Sequence, residues 1–150
     1  MSNGAWNLHR DLLLRTLLLV YLVASLLHFS HNATYLKDYP NLPAALSRSG
    51  IYLTWLGMAT VGLVGYLLYR RSHRRSGLLI LGLYAAAGFG GLLHYTRAPL
   101  SAHSAAMNFT ILFEVISAGA LLAAISVTGM SLRWQRNVIS VQRPEKTPER

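Results

Sequence analysis

The chain of 150 residues contains no cysteine. That excludes a disulfide scaffold, a thiolate zinc site, an iron–sulfur cluster and a cysteine nucleophile. Acids are scarce as well, with five Asp and Glu against 14 Lys and Arg. Charged residues of both signs make up 13% of the chain, about half the share of a soluble globular domain. Strand-like alternation, internal repeats, low-complexity tracts and a second domain are all missing. No Gly-x-Ser-x-Gly, His-Glu-x-x-His, P-loop or Rossmann glycine pattern occurs. Serine and cysteine hydrolase arrangements are therefore unsupported. A transporter normally needs more helices or internal repeats than this chain offers.

What is present is apolar length. Hydrophobic residues make up 53% of the chain and the mean hydropathy is +0.35. Four stretches, 12–29, 51–69, 78–95 and 105–127, each approach the roughly 20 residues that cross a bilayer core. None carries the broad charged face of a soluble bundle helix. The expected fold is an all-α membrane protein, a four-transmembrane-helix bundle forming one domain over 1–141. The polar, proline-containing tail 142–150 is expected to be disordered. The first stretch has a basic start but no Ala-x-Ala-like cleavage site after it, so it reads as a retained span. The loop 37–50 carries Pro40 and Pro43, with a short helix expected over Ala44 to Arg48.

Charge sets the expected orientation. Arg10 and Arg15 begin the first span, Arg70, Arg71, Arg74 and Arg75 fill the second loop, and Arg133, Arg136, Arg143, Lys146 and Arg150 follow the fourth span. Eleven of the 14 basic residues thus lie on one side, leaving Lys37, Arg48 and Arg97 on the other. The positive-inside rule puts both termini in the cytoplasm, in the pattern of a bacterial inner-membrane protein. The same distribution makes the net charge of +9 topological and argues against nucleic acid. The partners expected are the lipid bilayer and, for so small a chain, further copies of itself or a larger membrane complex. Asp11 and Arg15 are spaced as an i, i+4 ion pair.

The six histidines divide across this topology. His9 and His73 sit among the cytoplasmic arginines. His28 and His31 end the first helix on the outer side, His94 ends the third, and His103 begins the fourth. His28, His31, Asn32 and Tyr35 share one helical face. His103, Met107, Thr110, Glu114 and Ser117 form a second such face, with Asn108 beside it. Tyr84, Gly88, Gly91 and His94 or Tyr95 form a third, where Gly88, Gly90 and Gly91 allow close helix approach. Tyr52, Trp55, Ala59, Gly62 and Tyr66 form a fourth. Together these faces are expected to line one cavity open to the outside.

Neutral imidazole suits copper, zinc and iron. The leading expectation is therefore a transition-metal site ligated by His28, His31, His94 and His103. Asn32, Tyr35, Tyr95 and Asn108 would orient those rings. Haem or another tetrapyrrole is the next expectation, on His28 and His94, with Ala24 and Gly90 one turn before them leaving room for a flat ring. A third is acid–base catalysis on a lipid or isoprenoid substrate through Glu114, the one acid inside a span. Glu114 lies 11 residues beyond His103, about 16 Å deeper, below the histidines. An acid there costs roughly 2.5–3.5 kcal/mol to insert, so it should face inward and have a partner. That partner is a functional group or, in the structural alternative, Thr110 or Ser117. The last expectation is an accessory subunit without chemistry of its own.

Overall fold

Long apolar runs with no internal helix breaker fold here as long helices. A computed structural model describes residues 3–141, with side chains described over 8–134. Helix α1 runs Asn3–Thr34, α2 Arg48–Arg70 and α3 Arg74–Ala87. A 3-10 stretch, Gly88–Leu92, joins α3 to the short α4, Leu93–Arg97. A single 3-10 turn, Leu100–Ala102, precedes α5, Ala105–Val141. There is no strand among the described residues. Four segments, Leu8–Thr34, Arg48–Arg70, Arg74–Arg97 and Ala105–Trp134, are long and apolar enough to cross a membrane. Each is longer than the stretch expected from sequence. The tail 142–150 lies outside the described residues.

The helices pack in a ring, α1 on α2, α2 on α3, α3 on α5 and α5 on α1. In lipid, helix association relies on close packing and hydrogen bonds rather than on expulsion of water. The close packing is visible where glycines meet tyrosines. A methyl group added at Gly62 of α2 would stand 2.8 Å from the Tyr84 ring of α3. One added at Gly88 would stand 2.6 Å from Ala118 of α5 and 2.7 Å from Tyr21 of α1. Gly90, by contrast, has nothing within 4 Å of the same position, so the expected close approach there does not occur. Outward-facing Leu12, Leu13, Leu19 and Val23 on α1, and Phe109, Ile116 and Met130 on α5, are exposed. That apolar jacket exceeds the scattered apolar exposure of a soluble monomer and fits a hydrocarbon solvent.

The switch from α to 3-10 geometry decides where His94 goes. An α-helix advances about 100° per residue and a 3-10 helix about 120°. Over the ten residues from Tyr84, an unbroken α-helix would leave His94 about 80° off the Tyr84 face. The five residues of the 3-10 stretch bring it back to within about 20° of that face. The switch also frees a carbonyl, because the Gly88 amide bonds back to Ala85 and Ala86 rather than to Tyr84. The Tyr21 hydroxyl donates to the Tyr84 carbonyl at 3.2 Å. A cross-helix bond thus satisfies a buried acceptor that the tighter turn releases.

The two ends of the bundle differ in chemistry. At one end lie Arg10, Arg15, Arg70, Arg71, Arg74, Arg75 and Arg133. There the Tyr69 hydroxyl donates to Asp11 Oδ1. The expected Asp11–Arg15 pair is not formed; among the described residues the one base–acid contact is His28 Nε2 with Glu114 Oε2, at 3.7 Å. Asp11 is held by the phenol across the α1–α2 contact instead. At the other end lie His28, His31, His94 and His103. The expected helix over Ala44 to Arg48 is also absent. Ala44 and Ala45 form a turn, and Ser47 caps α2 by accepting from the Gly50 amide at 3.1 Å.

Candidate functional site

The site is built by α1, α4 and α5, closed over by the loop between α1 and α2. Helix α1 continues to Thr34, so His28, Asn32 and His31 rise along it in consecutive turns. His28 is buried, 2% exposed, and Asn32 is partly buried. His94 sits in the first turn of α4. His103 precedes α5 rather than standing on it, in extended backbone after the Leu100–Ala102 turn. It is nonetheless buried, because the chain there points its ring back under the loop.

Three imidazoles meet. The rings of His28 and His94 pack edge to face with 5.3 Å between centres, and those of His94 and His103 with 6.1 Å. Asn32 stands between the first two. With its amide nitrogen turned to the rings, it donates to His28 Nε2 at 3.1 Å and to His94 Nε2 at 3.4 Å. Each ring therefore presents an unprotonated Nε2 to one shared point. His103 is oriented by its other nitrogen, since Nδ1–H donates to the Pro99 carbonyl at 3.1 Å. Its Nε2 is buried and has no hydrogen-bond partner. A histidine whose far nitrogen is pinned by a backbone carbonyl has the tautomer and orientation that metal ligation uses. Asn32 Oδ1 and His28 Nδ1 are also buried without partners. Native structures leave few such atoms unpaired, and here three lie together.

Glu114 belongs to this cluster rather than lying below it. Its side chain is almost fully buried and its Oε2 is 3.7 Å from His28 Nε2. The depth expected from sequence separation is offset because His28 is the deepest of the histidines and the glutamate side chain reaches across to α1. Thr110 and Ser117 do not bind the carboxyl. Their hydroxyls donate to the backbone carbonyls of Met107 and Glu114, at 3.0 Å and 2.9 Å. The α5 stripe is otherwise as expected, with His103, Met107, Thr110, Glu114 and Ser117 all buried.

His31 stands apart. Its Nδ1 shares a 2.8 Å hydrogen bond with the Tyr39 hydroxyl, and its ring packs on Tyr35 at 4.6 Å. Tyr95 and Asn108 act as a brace. The Tyr95 hydroxyl donates to Asn108 Oδ1 at 2.9 Å, and the Asn108 amide donates to the carbonyls of Leu100 and His103. The Tyr95 ring also packs against His103. Helix α2 contributes no ring to the cluster. Its Trp55 donates to Ser25 Oγ of α1 at 3.2 Å, and α2 reaches only the groove beside the cluster, through Ile51 and Thr54.

Tyr39 lines the candidate site, and sequence pattern did not reveal it. It lies in the loop, 3% exposed, with its ring 5.0 Å from His94, 5.7 Å from His31 and 6.4 Å from His103. Below it pack Met107 and Ile111, with Leu42 and Tyr95 at the edge. The loop is turned back at Asn41, whose φ of 56° is left-handed, and tied down by the Asn41 amide donating to the Arg97 carbonyl at 2.8 Å. Burial pushes the Tyr39 phenol up to about 12, against the downward pull of a Thr110 hydroxyl bond. It is a neutral donor at any physiological pH. No helical period marks a loop residue, so only this Asn41 turn identifies Tyr39.

A groove of about 200 Å³ reaches the cluster from the side, with Asn32, His94, Arg97 and Gly90 along it. Among the described residues, no group of three or more His, Asp or Glu side chains is placed to hold one metal ion. Compared with protein-family models, curated proteins and solved structures, the chain matches none.

Proposed function

We propose that this is a small integral membrane protein that binds a transition-metal ion at its histidine end. The observation that carries the reading is the convergence of His28 Nε2 and His94 Nε2 on one atom, Asn32 Nδ2, beside an unpartnered His103 Nε2. An ion arriving through the lateral groove would displace the Asn32 amide and take those lone pairs. Glu114 would supply the anionic oxygen. Neutral imidazoles with one carboxylate suit zinc, iron or copper. His31, committed to Tyr39, would hold the lid rather than the ion. Arginines mark the cytoplasmic end under the positive-inside rule, so the site faces outward with both termini cytoplasmic, as in a bacterial inner membrane.

The packing favours a bare ion over a tetrapyrrole. His28 and His94 touch edge to face, and the adjoining groove is smaller than the 300–1,000 Å³ typical of small-molecule sites. A second reading, acid–base catalysis on a lipid or isoprenoid substrate, is supported by the buried His28–Glu114 pair at 3.7 Å.

Elemental analysis by mass spectrometry tests the first reading. Protein purified in mild detergent without chelator should carry close to one ion per chain. His28→Ala and His94→Ala should lose it, and His73→Ala should keep it. A folded wild-type protein that holds no metal and takes up no added Zn²⁺, Cu²⁺ or Fe²⁺ by calorimetry would overturn it.

A further inference from the structure

Two grooves flank α1 at the arginine end of the bundle. One, of about 310 Å³ between α1 and α2, runs along Leu18, Leu19 and Leu22 against Ala59 and Leu63, and ends at Arg15. The other, of about 280 Å³ between α1 and α5, runs along Leu13 and Leu17 against Ala120 and Ala124, and ends at Arg10. Both walls are apolar, and small residues on the facing helix make the channel. The first runs from Arg15 to Leu22 on α1, about 10 Å of helix, which accommodates half an acyl chain.

The guanidinium groups at the groove ends are the second observation. Arg15 Nε and Arg10 Nε and Nη1 are buried and have no hydrogen-bond partner among the described residues. Asp11, the acid next to Arg10 in sequence, accepts from Tyr69. Arginine presents a rigid fork of donors suited to phosphate oxygens, and its stem lies along apolar surface while its head reaches the headgroup level.

We propose that these two grooves are sites for anionic phospholipid, each seating an acyl chain with the lipid phosphate on Arg15 or Arg10. The proposal rests on the chain being a membrane protein and is independent of the metal site. Phosphate would satisfy donors that the described residues leave unpaired, and zwitterionic lipid would offer the same phosphate with a repelling cation attached. Anionic lipid is preferred by about fivefold for each arginine engaged.

Native mass spectrometry of the detergent-solubilised protein with equimolar palmitoyl-oleoyl phosphatidylglycerol and phosphatidylcholine tests it. The wild type should retain up to two phosphatidylglycerol molecules in preference to phosphatidylcholine. Arg15→Gln and Arg10→Gln should each reduce that preference about fivefold. Ala59→Phe fills the first groove without changing charge and should remove one retained lipid. Arg15→Lys keeps the charge and serves if Arg15→Gln does not fold. Equal retention of both lipids by the wild type overturns the proposal. So does a variant of the exposed Arg71, Arg71→Gln, that loses as much preference as Arg15→Gln, since that result makes the attraction a diffuse property of the basic end. Protein that stays in solution without detergent overturns the membrane reading itself, a separate result. Metal content should be the same in every variant.

Discussion

Replacing Asn32 with leucine separates a placeholder from a ligand. Leucine has nearly the same size and offers no donor. The substitution leaves His28 Nε2 and His94 Nε2 without the bonds they now accept at 3.1 Å and 3.4 Å. An unsatisfied buried acceptor costs about 1–3 kcal/mol, and the longer bond counts for less. Leucine also removes the unpartnered Asn32 Oδ1, which returns roughly 1 kcal/mol. The net loss is about 2 kcal/mol, a fall of about 4–8 °C in Tm for a chain this size. Thermal unfolding in detergent with a chelator present, followed by helical circular dichroism, measures it. Added Zn²⁺ at 100 times its Kd stabilises by about 2.7 kcal/mol, or about 5–11 °C. That rescue should be at least as large in Asn32→Leu as in the wild type, because no amide has to be displaced. A Tm unchanged in chelator would refute the reasoning about the two nitrogens. Loss of the Zn²⁺ response would show that Asn32 is itself a ligand.

Glu114→Gln should leave the helices intact and weaken ion binding by roughly 10- to 100-fold without abolishing it, measured by competition with a metal indicator. His31→Ala should retain the ion and His103→Ala should not, because only the latter turns a free Nε2 toward the cluster. Gly88→Ala should cost about 1–3 kcal/mol through overpacking against Tyr21 and Ala118, whereas Gly90→Ala should change stability by less than about 0.5 kcal/mol, both from thermal melts. Tyr39 should impose an alkaline limit. Its folded pKa is raised above its ordinary value of 10.0 to about 12, so the folded state keeps a proton that the unfolded state releases. The stability this contributes is complete below pH 10 and is lost as pH rises towards 12, and Tyr39→Phe should remove that step from a pH series of melts.

Hydropathy alone determined four long apolar helices, and residue spacing determined the inward faces of α1 and α5. The proposed lipid surroundings account for both, since a helix in lipid must satisfy its own backbone and turn its few polar groups away from hydrocarbon. His28, Asn32, Met107, Thr110, Glu114 and Ser117 were therefore legible as lining residues before any contact was known. Charge order along the chain likewise separated an arginine end from a histidine end. Tertiary structure alone decided how those residues meet. Spacing left either His94 or Tyr95 on the Tyr84 face; the 3-10 stretch at Gly88–Leu92, which turns His94 through about 100° relative to a continuous helix, decides for His94. The loop reversal at Asn41 brings Tyr39 down as a lid and draws His31 away from the other rings. Glu114 reaches His28 because two helices cross at that height, a distance that sequence separation does not encode. Periodicity reports which way a side chain faces along its own helix; its partner depends on the packing of helices that are distant in sequence.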